Sequence, residues 1–567
     1  MSANTLIQDL LTELPRSVEI FVPEIILSAT IVALLLARIL GCDTKKVPPC
    51  WIAIIGSLLA FAAVFSQFMY LKTGGDARTQ LVRSMYEIFQ LSETGVGGPL
   101  LQEPIFSYFG GMLVHDHFST LYRLGLLLFL VLVITLTVLT GIPDNDDGPD
   151  FYTLLCGSTL GMLLAVGTNH LLMLFVAVEM MSVPSYVMVG FLKGRKLSSE
   201  AALKYVVYGA GTAGVMLYGI SLLSGLLGSG SIPEMGARFA TLMGDKAFAL
   251  SSGETITLVL GIMMVLVGLA FKLSLVPFHF WAPDAFEGAS AEVGGYLSVA
   301  SKAAAFALVV RFVLGFDGEV PVLQSLSQFI GIGLGVMAAI SMTFGNLAAY
   351  TQTNLKRLLA YSTIAHAGYM LLAVSALLVT LNAPGGSKIN PAEEAVHCVE
   401  GLTYYLAVYM FMNLTAFSVV ALVRNETFSE ELSAYKGLIN GGPTVKVLCV
   451  CLAIAFFSLV GMPPFGGFFA KVLIFLPAFK AGSVHWIMWA LVAIGGLNTA
   501  FSLYYYLKVL KAIFIEAPAA DKAPIDAPPL VGWYVALVTL PILLLGMSPL
   551  QDDLSRTAQF VSSVLFK

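Results

Sequence analysis

Continuous apolar stretches of roughly 17–25 residues recur along almost the whole chain, and a stretch of that length crosses a bilayer as a helix. No other feature narrows the fold as far. Backbone placed in lipid must satisfy its own hydrogen bonds, which only helices and closed barrels do. The stretches are continuous rather than alternating, so a β-barrel is excluded. About fourteen helices are expected on this length rule. The first five lie near Ile20–Leu40, Trp51–Leu71, Phe118–Thr140, Phe151–Val166 and Leu171–Leu192. The next five lie near Glu200–Leu227, Ile256–Trp281, Val293–Leu314, Leu323–Ala349 and Leu358–Leu381. The last four lie near Val399–Val423, Thr444–Phe479, Trp486–Leu510 and Leu530–Met547. Charged residues make up 11% of the 567, against about 25% in soluble proteins. The expected fold class is an all-α polytopic membrane protein embedded in the lipid bilayer.

Composition excludes several functions. A net charge of −5, spread over loops, gives no nucleic-acid footprint. The six cysteines lack metal or cluster spacing, and Cys449 and Cys451 read as packing residues. No dinucleotide fingerprint is present. The polar first residues carry no cleavable signal, and the first apolar stretch reads as a retained helix.

Basic residues on short loops set an orientation. Lys45 and Lys46, Lys193, Arg195 and Lys196, Lys356 and Arg357, Lys436 and Lys446, and Lys508, Lys511 and Lys522 all follow odd-numbered helices. Those loops are expected inside, with both termini outside. The acidic loop Pro143–Asp150 falls on the same side. A long polar loop from about Lys72 to Asp116 has no evident physical role.

Two helices are interrupted. Ser274-Leu275-Val276-Pro277-Phe278 in the seventh is echoed by Ser458-Leu459-Val460 and then Pro463-Pro464-Phe465 in the twelfth, and lysines 272 and 471 lie close to the two breaks. Pro277 lacks an amide proton and cannot bond to the Leu273 carbonyl. The two helices would run in opposite directions with equivalent neighbours, the sign of an inverted repeat. The expected organisation is an N-terminal three-helix segment over 1–150, a first five-helix repeat over 151–315, an inverted second repeat over 321–513, and a C-terminal helix and tail over 514–567.

A lysine near mid-bilayer costs about 2.5–3.5 kcal/mol on insertion scales. Setting aside basic residues in loops and at helix ends leaves Lys204, Lys272, Lys302 and Lys471 inside the stretches, with Glu179 the one acidic residue deep in a helix. One carboxylate does not repay the desolvation of four ammonium groups, so part of the set is expected to be neutral at rest and able to relay protons. Lys204 equally fits an interfacial pair with Glu200. His279 lies two turns from Lys272, and His366 lies in the tenth helix; packing and relay roles both fit them. Breaking a Glu–Lys pair in a low-dielectric site changes a lysine's proton affinity by about 3–4 kcal/mol. Moving one charge across 100 mV costs about 2.3 kcal/mol. The two sizes match, so toggling Glu179 toward or away from Lys204 or Lys272 would load or eject a proton.

Several segments together resemble a known family. They are VEMMSVPSY around Glu179, LKY around Lys204, FKLSLVPFHFWAPDAFEGA around Lys272, VASKAAAF around Lys302, NLKRLLAYSTIAHAGYMLLAV around His366 and FFSLVGMPPFGGFFAKVLIF around Lys471. In order and spacing, from about Phe151 to Leu510, they resemble the antiporter-like proton channel family of bacterial NADH–quinone oxidoreductase, respiratory complex I. Lys471, where other branches carry a glutamate, and the end of the chain soon after the fourteenth helix resemble the subunit N branch. The resemblance implies a non-redox, proton-translocating subunit in the bacterial inner (cytoplasmic) membrane. It implies Glu179 as the ion-pair partner sensing a neighbouring subunit, and Lys204 as its second partner. Lys272 would be the pumping lysine, Lys302 the central link and Lys471 the exit-side group, with His279 and His366 supporting a water wire. The other antiporter-like subunits and small helical linking subunits would be partners. NADH, FMN, iron–sulfur clusters and quinone would belong to those other subunits, with no cofactor or metal in this chain. The alternative is a subunit of a multisubunit sodium/proton antiporter, which shares these motifs. One deep carboxylate is poor provision for sodium, which prefers clustered oxygen ligands.

Overall fold

The computed structural model describes residues 14–15, 17–40, 48–73, 105–143, 147–244, 248–250, 252–318, 320–383, 389–518 and 526–566. Among these, thirteen helices are long and apolar enough to cross a membrane, and a shorter apolar helix, Pro529–Leu544, follows them. They correspond one to one with the fourteen expected from the apolar stretches. In chain order they are α1 (Val22–Ile39), α2 (Pro49–Thr73), α3 (His117–Thr140), α4 (Gly148–Val166), α5 (Leu171–Val189) and α6 (Lys196–Leu227). A short α7 (Met235–Met243) precedes α8 (Gly253–Leu273), α9 (Trp281–Gly288) and α10 (Ala291–Leu314). Then come α11 (Pro321–Ala349), α12 (Leu355–Leu381), α13 (Pro391–Thr427), α14 (Pro443–Val460), α15 (Gly466–Ala481), α16 (Ile487–Phe514) and α17 (Pro529–Leu544), before a final amphipathic α18 (Leu550–Ser563).

The core lies around α10, α12 and α13, whose spans are almost wholly enclosed by the other helices. α12 packs on α11 and α13, and α10 packs on α13. α6 and α16 lie at the periphery and present large apolar side chains such as Leu203, Tyr218 and Tyr504 outward. An apolar exterior around an interior that holds charge is the reverse of the soluble pattern.

Part of the loop expected from Lys72 to Asp116 is structured; its residues 74–104 lie outside the described ones. β1 (Ile105–Tyr108) and β2 (Leu113–Asp116) pair antiparallel. The Asp116 carboxylate caps α3 by accepting from the Ser119 amide at 2.6 Å, while the Ser119 hydroxyl accepts from the Asp116 amide at 3.1 Å. Burial alone would raise the Asp116 carboxyl, but Arg311 and Ser119 hold it below its ordinary value. Burial, followed by the Arg123 guanidinium, pushes the His115 imidazole down to about 3, so it stays neutral.

Two ion pairs absent from the sequence-based expectation fix this region. Arg123 of α3 meets Glu24 of α1 at 2.5 Å, both about 1% exposed or less, and donates to the Tyr108 hydroxyl at 2.9 Å. Arg311 of α10 donates to both Asp116 carboxylate oxygens at 2.9 Å. Glu179 is therefore not the one deep acidic residue: Glu24, Glu292 and Glu400 are buried, while Glu179 is half-buried. Lys356, expected in a loop, is fully buried as well. Over Glu24 and Lys356 a partner distant in sequence, Arg123 and Glu430, closes on the charge, which hydropathy along the chain does not register. At the edges of the acidic loop Asp147 pairs with Lys193 at 2.8 Å, and Asp150 pairs with Arg38. Asp144–Asp146, Lys45, Lys46 and Lys522 lie outside the described residues.

Both expected breaks are present and share one construction. α8 ends in Ser274 at φ 58° and α14 in Gly461 at φ 88°, each in the left-handed conformation. The following amide turns back five residues, Leu275 to the Ala270 carbonyl at 2.9 Å and Met462 to the Phe457 carbonyl at 3.0 Å, which is the Schellman way of ending a helix. A side chain on Gly467 would put its Cβ 1.9 Å from the Ser458 carbonyl oxygen. Gly467→Ala is therefore expected to force the two halves of the second break apart, at a cost of about 1–3 kcal/mol. A lowered unfolding temperature of the purified protein would register it.

Candidate functional site

Lys272, Lys302 and Lys471 all project into the interior, at 1%, 1% and 5% exposure. Two of them meet one solution to their burial and the third another. Lys302 of α10 donates to the Leu273 carbonyl at 2.6 Å, the last residue of α8, and to the Thr363 carbonyl of α12 at 3.4 Å. Lys471 of α15 donates to the Val460 carbonyl at 2.8 Å, the last residue of α14, and to the Thr499 hydroxyl at 3.5 Å. The two amines thus occupy equivalent places. Each sits on a carbonyl that the broken helix leaves free, at the negative end of the helix dipole. The sequence echo pairs Lys272 with Lys471 by proximity to a break, but the contacts pair Lys302 with Lys471.

Lys272 lies before its break rather than across it. Its ammonium nitrogen makes no hydrogen bond among the described residues and stands 5.7 Å from the ring centres of both Tyr186 and Tyr205. Tyr205 stacks on Trp281 at 4.1 Å, and the Trp281 indole donates to the Phe271 carbonyl at 2.9 Å. Ring faces attract a desolvated cation by up to about 2 kcal/mol. They form no ion pair, so the amine is held without being locked. Glu179 and Tyr186 are seven residues apart on one face of α5, which sets Glu179 on the Lys272 side of that helix without an ion pair to it among the described residues.

Lys204 does not meet Glu179. It pairs with Glu200 at 2.7 Å, the interfacial alternative, and with Asp284 of α9 at 2.8 Å. Asp284 turns its other oxygen to Arg357 of α12 at 2.7 Å, and Arg357 also reaches Glu287 at 2.6 Å. This bridge links α6, α9 and α12 at one end of the bundle. Sequence reasoning passed over Asp284 because it stands among prolines and aromatics that read as a loop.

His366 stands at the centre of a hydroxyl cluster. Its Nδ1 lies 2.6 Å from the Tyr405 hydroxyl and its Nε2 3.4 Å from the Tyr506 hydroxyl, which contacts Ser362 at 2.5 Å. Tyr369, 5.8 Å from the His366 ring, faces the Lys471 ammonium at 4.6 Å. Asn346 extends the set to Tyr505 at 3.1 Å and to the Asn498 carbonyl at 3.1 Å. His279 is placed apart: its ring packs on Phe280 and Phe344, and its Nδ1 has no hydrogen-bond partner among the described residues. The tyrosines 186, 205, 369, 405 and 506 were not singled out from sequence. Their signal was a hydroxyl recurring within otherwise aliphatic helices.

Fold and site together define a polytopic helical membrane protein with buried amines and hydroxyls in its interior. A family model described as NADH:quinone oxidoreductase/Mrp antiporter, TM, matches residues 168–502, and the chain belongs to that family. It is 40% identical over 429 residues to NADH-quinone oxidoreductase subunit N of Anaeromyxobacter sp., covering 73% of this chain and 78% of that protein. It is 31% identical over 569 residues to NADH-quinone oxidoreductase subunit N 2 of Chloroherpeton thalassium, covering 99% and 98%. Among solved structures, a chain of respiratory complex I from Thermus thermophilus with bound Aureothin matches at 29% identity and a TM-score of 0.66, over 93% of this chain and 97% of that one. A chain of the Mrp complex from Dietzia sp. matches at 18% identity and a TM-score of 0.70, over 97% and 100%, and shares the fold.

Proposed function

We propose that this chain is a proton-translocating membrane subunit of an NADH–quinone oxidoreductase. NADH, FMN, iron–sulfur clusters and quinone act in partner subunits, and this non-redox chain moves protons. The observation that carries the proposal is the pair of amines, Lys302 and Lys471, seated on the free carbonyls of two broken helices, with the His366 hydroxyl cluster nearby. Names of relatives and the matched complex I chain support it. Other antiporter-like subunits and small helical linking subunits complete the assembly in the bacterial inner membrane, with both termini outside by the basic-loop rule.

In this scheme Glu179, half-buried on α5, responds to a neighbouring subunit and sets the charge of Lys272. Lys302 passes the proton toward His366, and Lys471 releases it. Lys204, held by Asp284, swings between Asp284 and Glu179. The route does not need His279. The matching ends of α8 and α14 favour the inverted repeat of 151–315 against 321–513, flanked by the segments 1–150 and 514–567.

The test is identification of the proteins that co-purify with the chain after mild detergent extraction. Complex I membrane subunits are the expected companions. Sodium/proton exchange by the chain reconstituted alone would overturn the proposal in favour of a sodium/proton antiporter subunit.

A further inference from the structure

A second buried charge cluster lies where α10 and α12 begin. Lys356, fully buried, donates to the Ala289 carbonyl at 2.5 Å and pairs with Glu430 at 2.9 Å. Glu430 also meets Arg424 of α13 at 3.4 Å, and both of those side chains are 12% exposed. Glu292, in the first turn of α10, is 1% exposed. Both of its carboxylate oxygens are buried and accept no hydrogen bond among the described residues, although its charge reaches Lys356. Glu430 is shared between Lys356 and Arg424, so Glu292 is the second carboxylate set against two cations. It has no hydrogen-bond donor of its own among the described residues; a buried carboxyl without donors is costly as an anion, and a purely structural role would be expected to bring it one.

The cluster connects inward along two helices. Lys356 and Thr363 are seven residues apart, on one face of α12, and the Thr363 carbonyl accepts from Lys302. Arg424, Asn413 and Tyr409 share one face of α13 at spacings of eleven and four residues. Phe417 of that face lies against Gly294 and Gly295 of α10. The Asn413 and Tyr409 side chains are buried beside each other with no polar partner beyond that pair and their own helix among the described residues, and the Tyr409 ring lies 5.2 Å from His366. Buried polar atoms therefore mark the seam between α10, α12 and α13 from Glu292 to the central histidine.

We propose that Glu292 is a proton-loading residue that feeds Lys302 from the membrane face carrying the 356–357 segment. The proposal rests on the proton-translocating function above. A proton from water beside Glu430 and Arg424 binds a Glu292 carboxylate oxygen. It then passes to the free amine of Lys302, leaving an ammonium there and the carboxylate ready to reload. Ten residues of α10 separate the two groups, about 15 Å of helix, so water held on Asn413 and Tyr409 relays the transfer.

The test is NADH-driven proton translocation by the assembled complex in liposomes, comparing wild type with Glu292→Gln, Glu292→Asp, Asn413→Val and Lys302→Ala. Glu292→Gln is expected to slow translocation by about tenfold or more, since a positioned proton-transfer group contributes about 10²–10⁴-fold and water bypasses part of it, and Glu292→Asp to restore much of it. Asn413→Val, which leaves the charge cluster intact, is expected to slow it as well and serves if Glu292→Gln fails to incorporate. Wild-type rates in Glu292→Gln, or in Asn413→Val where that variant is the readout, overturn the inference. If Lys302→Ala abolishes translocation in the same series, the function stands and the loading role alone falls. If Lys302→Ala also translocates at the wild-type rate, both fall.

Discussion

Lys272→Ala is expected to remove most proton translocation from the assembled complex while leaving the subunit incorporated. The two halves of that result have separate causes. Lys272 makes no ion pair among the described residues in its aromatic enclosure of Tyr186 and Tyr205. Removing an unpaired amine from an apolar interior takes away a desolvation penalty rather than a bond. Assembly is therefore preserved, and a native gel shows it. Function depends on the same amine taking and giving a proton under the pull of Glu179. A positioned proton-transfer side chain contributes about 10²–10⁴-fold, so even partial bypass through water leaves a loss of about tenfold or more. Proton uptake measured beside NADH oxidation in proteoliposomes separates the two halves. Full translocation by this variant would refute the role assigned to Lys272.

Arg123→Met is expected to give the opposite pattern, a loss of stability with no chemistry at stake. Arg123 and Glu24 are enclosed between α1 and α3, and Tyr108 of the hairpin shares the guanidinium. Breaking one side of a buried pair strands the other charge and costs about 3–5 kcal/mol. The N-terminal helices would then detach from the core, seen as poor incorporation and a lower unfolding temperature. The double variant Glu24→Leu/Arg123→Met leaves no stranded charge and is expected to recover most of the loss. A single variant as stable as wild type would show that the pair does not hold this segment.

These two contrasting residues also show what the sequence discloses. Lys272 was legible because it lies in an uninterrupted apolar stretch beside a proline, where length along the chain is enough to place it deep. The helix spans were legible for the same reason, since lipid leaves the backbone one local solution. Arg123 was not, because it lies near the start of its helix and its partner is about a hundred residues earlier. Lys356 and Arg357 looked alike as a basic pair at a helix start; only packing of α13 against α12 buries one and leaves the other partly open. Lys204 fitted either Glu200 or Glu179; the fold keeps the Glu200 pair and adds Asp284, which arrives from beyond the break. The hairpin escaped because its four-residue strands are too short for a period to register.

The account rests on buried lysines that exchange protons during turnover. Infrared difference spectra of the complex carrying isotope-labelled lysine, taken with and without NADH, observe those amines directly. The predicted result is a lysine ammonium band that changes on turnover and is lost in Lys272→Ala or Lys302→Ala. An identical lysine spectrum at rest and during turnover would contradict it.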